Sequence, residues 1–168
     1  MTLAVSDRAR RITVLAFDVD GVCTDGKLYY GPDGCALHAF HARDGLGLVK
    51  ARQAGIVCCA ISGRSSKNVD ARLGELKVPI IRQGIADKAA ELRSILAELQ
   101  VTPDQACFVG DDVNDLQVMA LAGLSVAVAD AEPEVLRSAH HITQRVGGSG
   151  VLREVVELIL TAQGRWNA

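Results

Sequence analysis

Asp18 and Asp20 stand two residues apart in the run Asp18-Val19-Asp20-Gly21-Val22, directly after an apolar stretch. On an extended chain such residues face the same side, about 7 Å apart. Two carboxylates so placed can share a reaction centre in different roles. One can attack phosphorus, and the other can handle the proton of the departing oxygen. Two solvated acids at a strand end are the plainer alternative.

A second acidic group, Gly110-Asp111-Asp112-Val113-Asn114-Asp115, also follows an apolar stretch. Three carboxylates within five residues repel one another unless a cation or basic group sits among them. Mg2+ takes oxygen ligands of this kind. An acidic loop capping a helix N-terminus is the alternative here. Between the two groups lie Ser62-Gly63-Arg64 and Lys88. A hydroxyl, a backbone amide and an ammonium are the groups that hold phosphoryl oxygens as charge redistributes. Singly they are weak signals, and their order beside the carboxylates makes them informative.

The elements that must position these residues alternate between apolar β-branched runs and helical patterns, the mark of a parallel sheet flanked by helices. Strands are expected at 12–17, 56–61, 79–82, 106–109 and 124–128. Helices are expected at 46–54, 66–73, 86–99, 114–121 and 151–160. Each chemical group then falls at the carboxyl end of a strand, where open parallel sheets bind ligands. Residues 26–40 break the alternation with two extended stretches around Pro32-Asp33-Gly34, which reads as a projecting β-hairpin. Arg64 and Arg72 lie eight residues apart, so both can face the pocket if their helix begins near Ser66.

Composition narrows the partners. The chain has 168 residues, 49% apolar, with a net charge of −2, which suits one domain over residues 1–168. That charge supplies no broad attraction to nucleic acid or anionic membrane. No run approaches the length of a membrane span. The five cysteines follow no CxxC or zinc spacing, as expected of reduced thiols in a cytoplasmic protein.

The ordered set DVDGV, Ser62, Lys88 and GDDVND resembles the haloacid dehalogenase superfamily of phosphotransferases. The longer stretches TDGKLYYGPDG, ARDGLGL, SGRSS and VGDDVNDL resemble its sugar-acid phosphatase branch. The resemblance implies an α/β, Rossmann-like parallel sheet with helices on both faces. It implies that Asp18 carries a transient aspartyl phosphate, with Asp20 as acid and then base. Mg2+ would be held by the Asp18 carboxylate, the Asp20 backbone carbonyl and Asp111. Ser62, Gly63 and Lys88 would bind the phosphoryl group, and Asp112 and Asp115 would orient metal-bound water or Lys88. Arg64 and Arg72 become candidates for the substrate's own charges.

Arg64 leans the reading towards an eight-carbon sugar acid phosphate, with a nine-carbon acid phosphate as the alternative. A non-catalytic domain of the kind appended to sugar-acid nucleotidyltransferases is a third reading, opposed by the intact motifs. Neither gap between motifs has room for a cap domain. The resemblance therefore implies a homotetramer in which neighbouring subunits complete the site. Gly147-Gly148-Ser149-Gly150 departs from relatives that carry a basic residue in this loop. The four histidines are not required by this chemistry, and Trp166 reads either as a frayed tail or as a subunit contact.

Overall fold

A computed structural model describes residues 3–167. Its centre is a six-stranded sheet of order β5-β4-β1-β6-β7-β8, parallel throughout. The strands are β1 (Val14–Phe17), β4 (Val57–Ile61), β5 (Ile80–Arg82), β6 (Ala106–Gly110), β7 (Leu124–Ala127) and β8 (His141–Ile142). A parallel sheet covered on both faces reads as unbroken apolar runs, and β1, β6 and β7 are buried at every position.

Two series of crossovers leave β1. One runs outward through α2 (Ala42–Gln53) to β4 and through α3 (Lys67–Glu75) to β5. The chain then returns through α4 (Lys88–Leu99) to β6, and through α5 (Leu116–Leu121) and α6 (Pro133–Ser138) to β7 and β8. Right-handed crossovers in opposite directions put the two helix sets on opposite faces. Strand order thus reverses between β1 and β6, a switch point where a crevice opens.

The final helix, α7 (Val151–Ala162), buries Val151, Leu152, Val155, Val156, Ile159 and Leu160 in a helical stripe against α2. The approach is close: a Cβ on Gly47 would lie 2.8 Å from the Cα of Arg153. Beyond it, Trp166 meets Lys50 and Arg153, whose charged groups lie over its ring at 4.7 and 4.6 Å from the centroid. The tryptophan is therefore an intrachain anchor.

Several boundaries differ from the sequence reading. A helix α1 (Val5–Arg11) precedes β1, although only Ala9 of it is buried and its charges conceal the pattern. α2 begins at Ala42, because His41 Nδ1 accepts the Arg43 amide at 3.1 Å and caps it. α6 and β8 are too short to show a period. Residues 26–40 contain β2 (Tyr29–Gly31) and β3 (Gly34–Leu37), paired antiparallel.

Candidate active site

Four strand ends deliver the chemistry to one cleft of about 260 Å³, lined by Asp18, Asp20, Gly26, Ser62, Gly63, Arg64, Lys88, Asp111, Asp112 and Asn114. Asp18 follows β1 and keeps one more sheet bond, donating its amide to the Val109 carbonyl at 3.0 Å. Its Oδ1 accepts the Val19 amide at 2.7 Å, and its Oδ2 lies 2.8 Å from Lys88 Nζ. The carboxylate is therefore held at both oxygens.

Lys88 is the first residue of α4, behind Asp87, which caps the helix by accepting the Ala90 amide. Its ammonium is buried and bridges Asp18 to Asp115 Oδ1, the latter at 2.7 Å. Burial alone would lower the Lys88 pKa. The Asp18 and Asp115 charges outweigh it and hold the ammonium above its ordinary range.

Asp115 is fully buried, and its other oxygen accepts the Asp111 amide at 3.1 Å. It ties the lysine to the loop after β6. A Cβ on Gly110 would come within 2.5 Å of that oxygen, so glycine makes room for it. Asp112 is exposed, and its Oδ1 caps the short 3-10 turn Val113–Asp115 by accepting the Val113 amide.

Carboxylate oxygens of Asp18, Asp111 and Asp115 lie within 4.8 Å of one another. Burial, then Asp115, raises the Asp18 carboxyl to about 6. Burial, then Asp18 and Asp115, raises Asp111 to about 8. With all three ionised, three carboxylates would face one ammonium, and a divalent ion would neutralise the two negative charges left over. Asp111 Oδ1 is buried with no hydrogen-bond partner, as a metal ligand would be before loading. The donor set is all oxygen, which suits Mg2+. Asp18 and Asp111 line the cleft, whereas Asp115 is fully buried behind them with its oxygens on Lys88 and the Asp111 amide, so Asp18 and Asp111 are the better ligands.

Ser62, at the end of β4, is buried, and its Oγ accepts the Arg64 amide at 3.2 Å. Asp20 lies between two cations or potential cations. Arg64 Nε is 3.5 Å from its Oδ2, and His38 Nε2 is 3.6 Å from its Oδ1. Arg64 also donates to the Tyr30 hydroxyl at 3.4 Å.

One expected residue is not brought in. Arg72 pairs with Glu75 at 2.9 Å and lines a different, small cavity between α2 and α3. Arg64 precedes the Ser66 cap and so lies outside α3, and helical spacing does not relate it to Arg72. Two contributors are not among the expected site residues, although the glycine-rich loop 147–150 stands out in the sequence. His38 reaches Asp20 from the residue after β3. The loop 147–150 packs on the turn after Asp20: the Gly148 amide donates to the Val22 carbonyl at 3.0 Å, and a Cβ on Gly147 would lie 2.0 Å from the Gly21 carbonyl oxygen. Both depend on contacts distant in the chain.

The fold and the strand-end carboxylates define a hydrolase class, and the profile of haloacid dehalogenase-like hydrolases matches residues 71–155. The 3-deoxy-D-manno-octulosonate 8-phosphate phosphatase of Yersinia pestis is 44% identical over 96% of this chain and 86% of its own length. Its crystal structure superposes with a TM-score of 0.94, covering 96% of this chain and 87% of that one. The phosphatase of the same description from Moraxella catarrhalis, solved with magnesium, phosphate and KDO, is 38% identical. It has a TM-score of 0.93 and covers 95% of this chain and 92% of that one. The chain belongs to the 3-deoxy-D-manno-octulosonate 8-phosphate phosphatase family of haloacid dehalogenase-like hydrolases.

Proposed function

We propose that this protein hydrolyses 3-deoxy-D-manno-octulosonate 8-phosphate to 3-deoxy-D-manno-octulosonate and phosphate, a step of lipopolysaccharide precursor synthesis. The observation that carries the reading is the convergence of Asp18, Asp20, Ser62, Lys88 and Asp111 on one cleft. An Asp18 oxygen attacks phosphorus, the bond from phosphorus to the sugar oxygen breaks, and a protonated Asp20 gives its proton to that oxygen. Asp20 then takes a proton from water as the water oxygen attacks the aspartyl phosphate. The bond to Asp18 breaks, and phosphate leaves.

Lys88, Ser62 and the Gly63 amide hold the phosphoryl oxygens. Arg64, on the rim beside Asp20, faces the charged part of the sugar. The Asp18 and Asp111 carboxylates and the Asp20 backbone carbonyl would hold Mg2+. When bound, the ion supplies positive charge to the phosphoryl oxygens and screens Asp18 from them. Asp115 positions Lys88, and Asp112 shapes the loop.

The assembly we propose is a cytoplasmic homotetramer. Tyr29, Tyr30 and Leu37, on β2 and β3 near the cleft, are exposed apolar groups that neighbouring subunits would cover. Among the described residues no helix is long and apolar enough to cross a membrane. Cys23, Cys58, Cys59 and Cys107 are buried free thiols, which fits a reducing compartment.

The test is phosphate release from eight- and nine-carbon sugar acid phosphates, with and without Mg2+, by the wild type and Asp18→Asn. Turnover should require Mg2+, favour the eight-carbon ester and vanish in Asp18→Asn. Activity retained in that variant would refute the nucleophile, and equal rates on all esters would refute the substrate.

A further inference from the structure

The His38 side chain is 1% exposed and lies between Asp20 and the start of α3. Its Nδ1 faces Asn68 Nδ2 at 3.3 Å and Ser66 Oγ at 3.5 Å. Ser66 Oγ already accepts the Asn68 amide, so its proton is available to the ring. An amide NH2 and a hydroxyl around Nδ1 make that nitrogen the acceptor. In the neutral imidazole the proton then sits on Nε2. Nε2 is the ring nitrogen turned to Asp20 Oδ1, an oxygen that is buried and has no hydrogen-bond partner.

The separation of 3.6 Å exceeds a hydrogen bond. Catalytic contacts of this kind tighten when substrate binds, and a shift of about 0.6 Å brings this one into range. On the far side, Arg64 flanks Oδ2 from the exposed rim. The two oxygens of Asp20 are thus distinguished: one is turned to the interior and the other to the cleft.

We infer that His38 is a positioning residue for Asp20, donating from Nε2 to Oδ1 so that Oδ2 is aimed at the leaving oxygen. This rests on the reading of Asp20 as the acid and base. It makes the residue after β3 part of the catalytic geometry, anchored through Ser66 and Asn68 to the α3 cap. The order of β2 and β3 is thereby linked to proton transfer.

The experiment compares His38→Ala, His38→Leu and His38→Gln in the full chain with Mg2+, on the eight-carbon ester and on 4-nitrophenyl phosphate. Gln can place an amide donor near the Nε2 position, whereas Leu fills space without a donor. Ala and Leu should each lower kcat on the sugar ester roughly 10- to 100-fold, with KM changed less than about threefold. Gln should restore kcat to within about fivefold of wild type. On 4-nitrophenyl phosphate, whose leaving group needs little protonation, kcat/KM of the Ala variant should fall less than about threefold.

A purely structural His38 would move both substrates' kcat/KM equally, or would leave the Leu variant fully active. Either result overturns the inference. Asp20→Asn separates the two readings. Full activity in Asp20→Asn removes the acid and base itself. An inactive Asp20→Asn beside unchanged His38→Leu removes the role of His38 alone. Melting temperatures of each variant identify any loss that is merely unfolding.

Discussion

Gly21 and Asp111, ninety residues apart, are in direct contact: a Cβ on Gly21, at φ +85°, would lie 2.0 Å from Asp111 Oδ2. The glycine after the first carboxylate pair is therefore a condition for the second acidic group to enter the site. Gly21→Ala must displace the Asp111 carboxylate and strain a backbone that favours glycine, at a cost of about 1–3 kcal/mol. We expect at least roughly a 100-fold loss of kcat/KM and weaker Mg2+ binding by calorimetry. Unchanged Mg2+ affinity would show that Asp111 is not a ligand.

Lys88 carries the positive charge between Asp18 and Asp115. Lys88→Met keeps the length of the side chain and removes that charge. Turnover should fall roughly 1,000-fold, and the Asp18 and Asp111 carboxyls should titrate higher still in the metal-free protein. Carboxylate titration by carbon-13 NMR reads the second effect directly.

Proton and metal binding should compete. Asp111 is raised to about 8 and Asp18 to about 6, from an ordinary value of 3.8, chiefly by burial. Between the unfolded value of 3.8 and about 8 the folded protein keeps protons that the unfolded chain has lost. Metal-free stability from these groups is therefore fullest below the unfolded value and declines as pH rises to about 8. A divalent ion favours the deprotonated carboxylates, so between about 6 and 8 Mg2+ affinity should climb with pH by up to roughly tenfold per unit. The climb should be steeper below about 6, where Asp18 also holds a proton, and should level near 8. A pH series of Mg2+ titrations and thermal melts checks both slopes, and a flat affinity between pH 6 and 8 would contradict them.

Asp112 and Asp115 are neighbours in sequence with different environments. Asp115 is fully buried, and its two oxygens accept from two donors, Lys88 Nζ and the Asp111 amide. An amide has only one oxygen, so Asp115→Asn must turn an NH2 towards one of them. Asp112 is exposed and caps one amide, which Asn also does. Asp115→Asn should lose at least about tenfold more kcat than Asp112→Asn, a ratio that steady-state kinetics measures.

Sedimentation tests the proposed assembly. Wild type should run at four times the monomer mass, and Tyr30→Glu, beside Arg64 on β2, should weaken association and lower activity together. A fully active monomer would remove the tetramer.

Much of the site was legible in the sequence because its carboxylates are local features. Asp18 and Asp20 share a strand end, and Asp111 to Asp115 occupy one loop. The alternation of apolar runs and helical periods likewise places those ends on one edge of a parallel sheet. Whatever required measuring across the chain was not legible. Arg72 has plausible spacing from Arg64, yet α3 starts after the arginine at 64, and the second guanidinium turns to Glu75. His38 has no motif at all, and its position beneath Asp20 arises because the residue after β3 passes the α3 cap. Asp115 reads as one acid of three until its two oxygens are seen joining Lys88 to the Asp111 loop. By itself the sequence determined which groups stand at the strand ends, because short-range spacing and periodicity are written along the chain. Tertiary structure decided which charges share a dielectric and which face a partner, because those are distances between segments that only folding brings together.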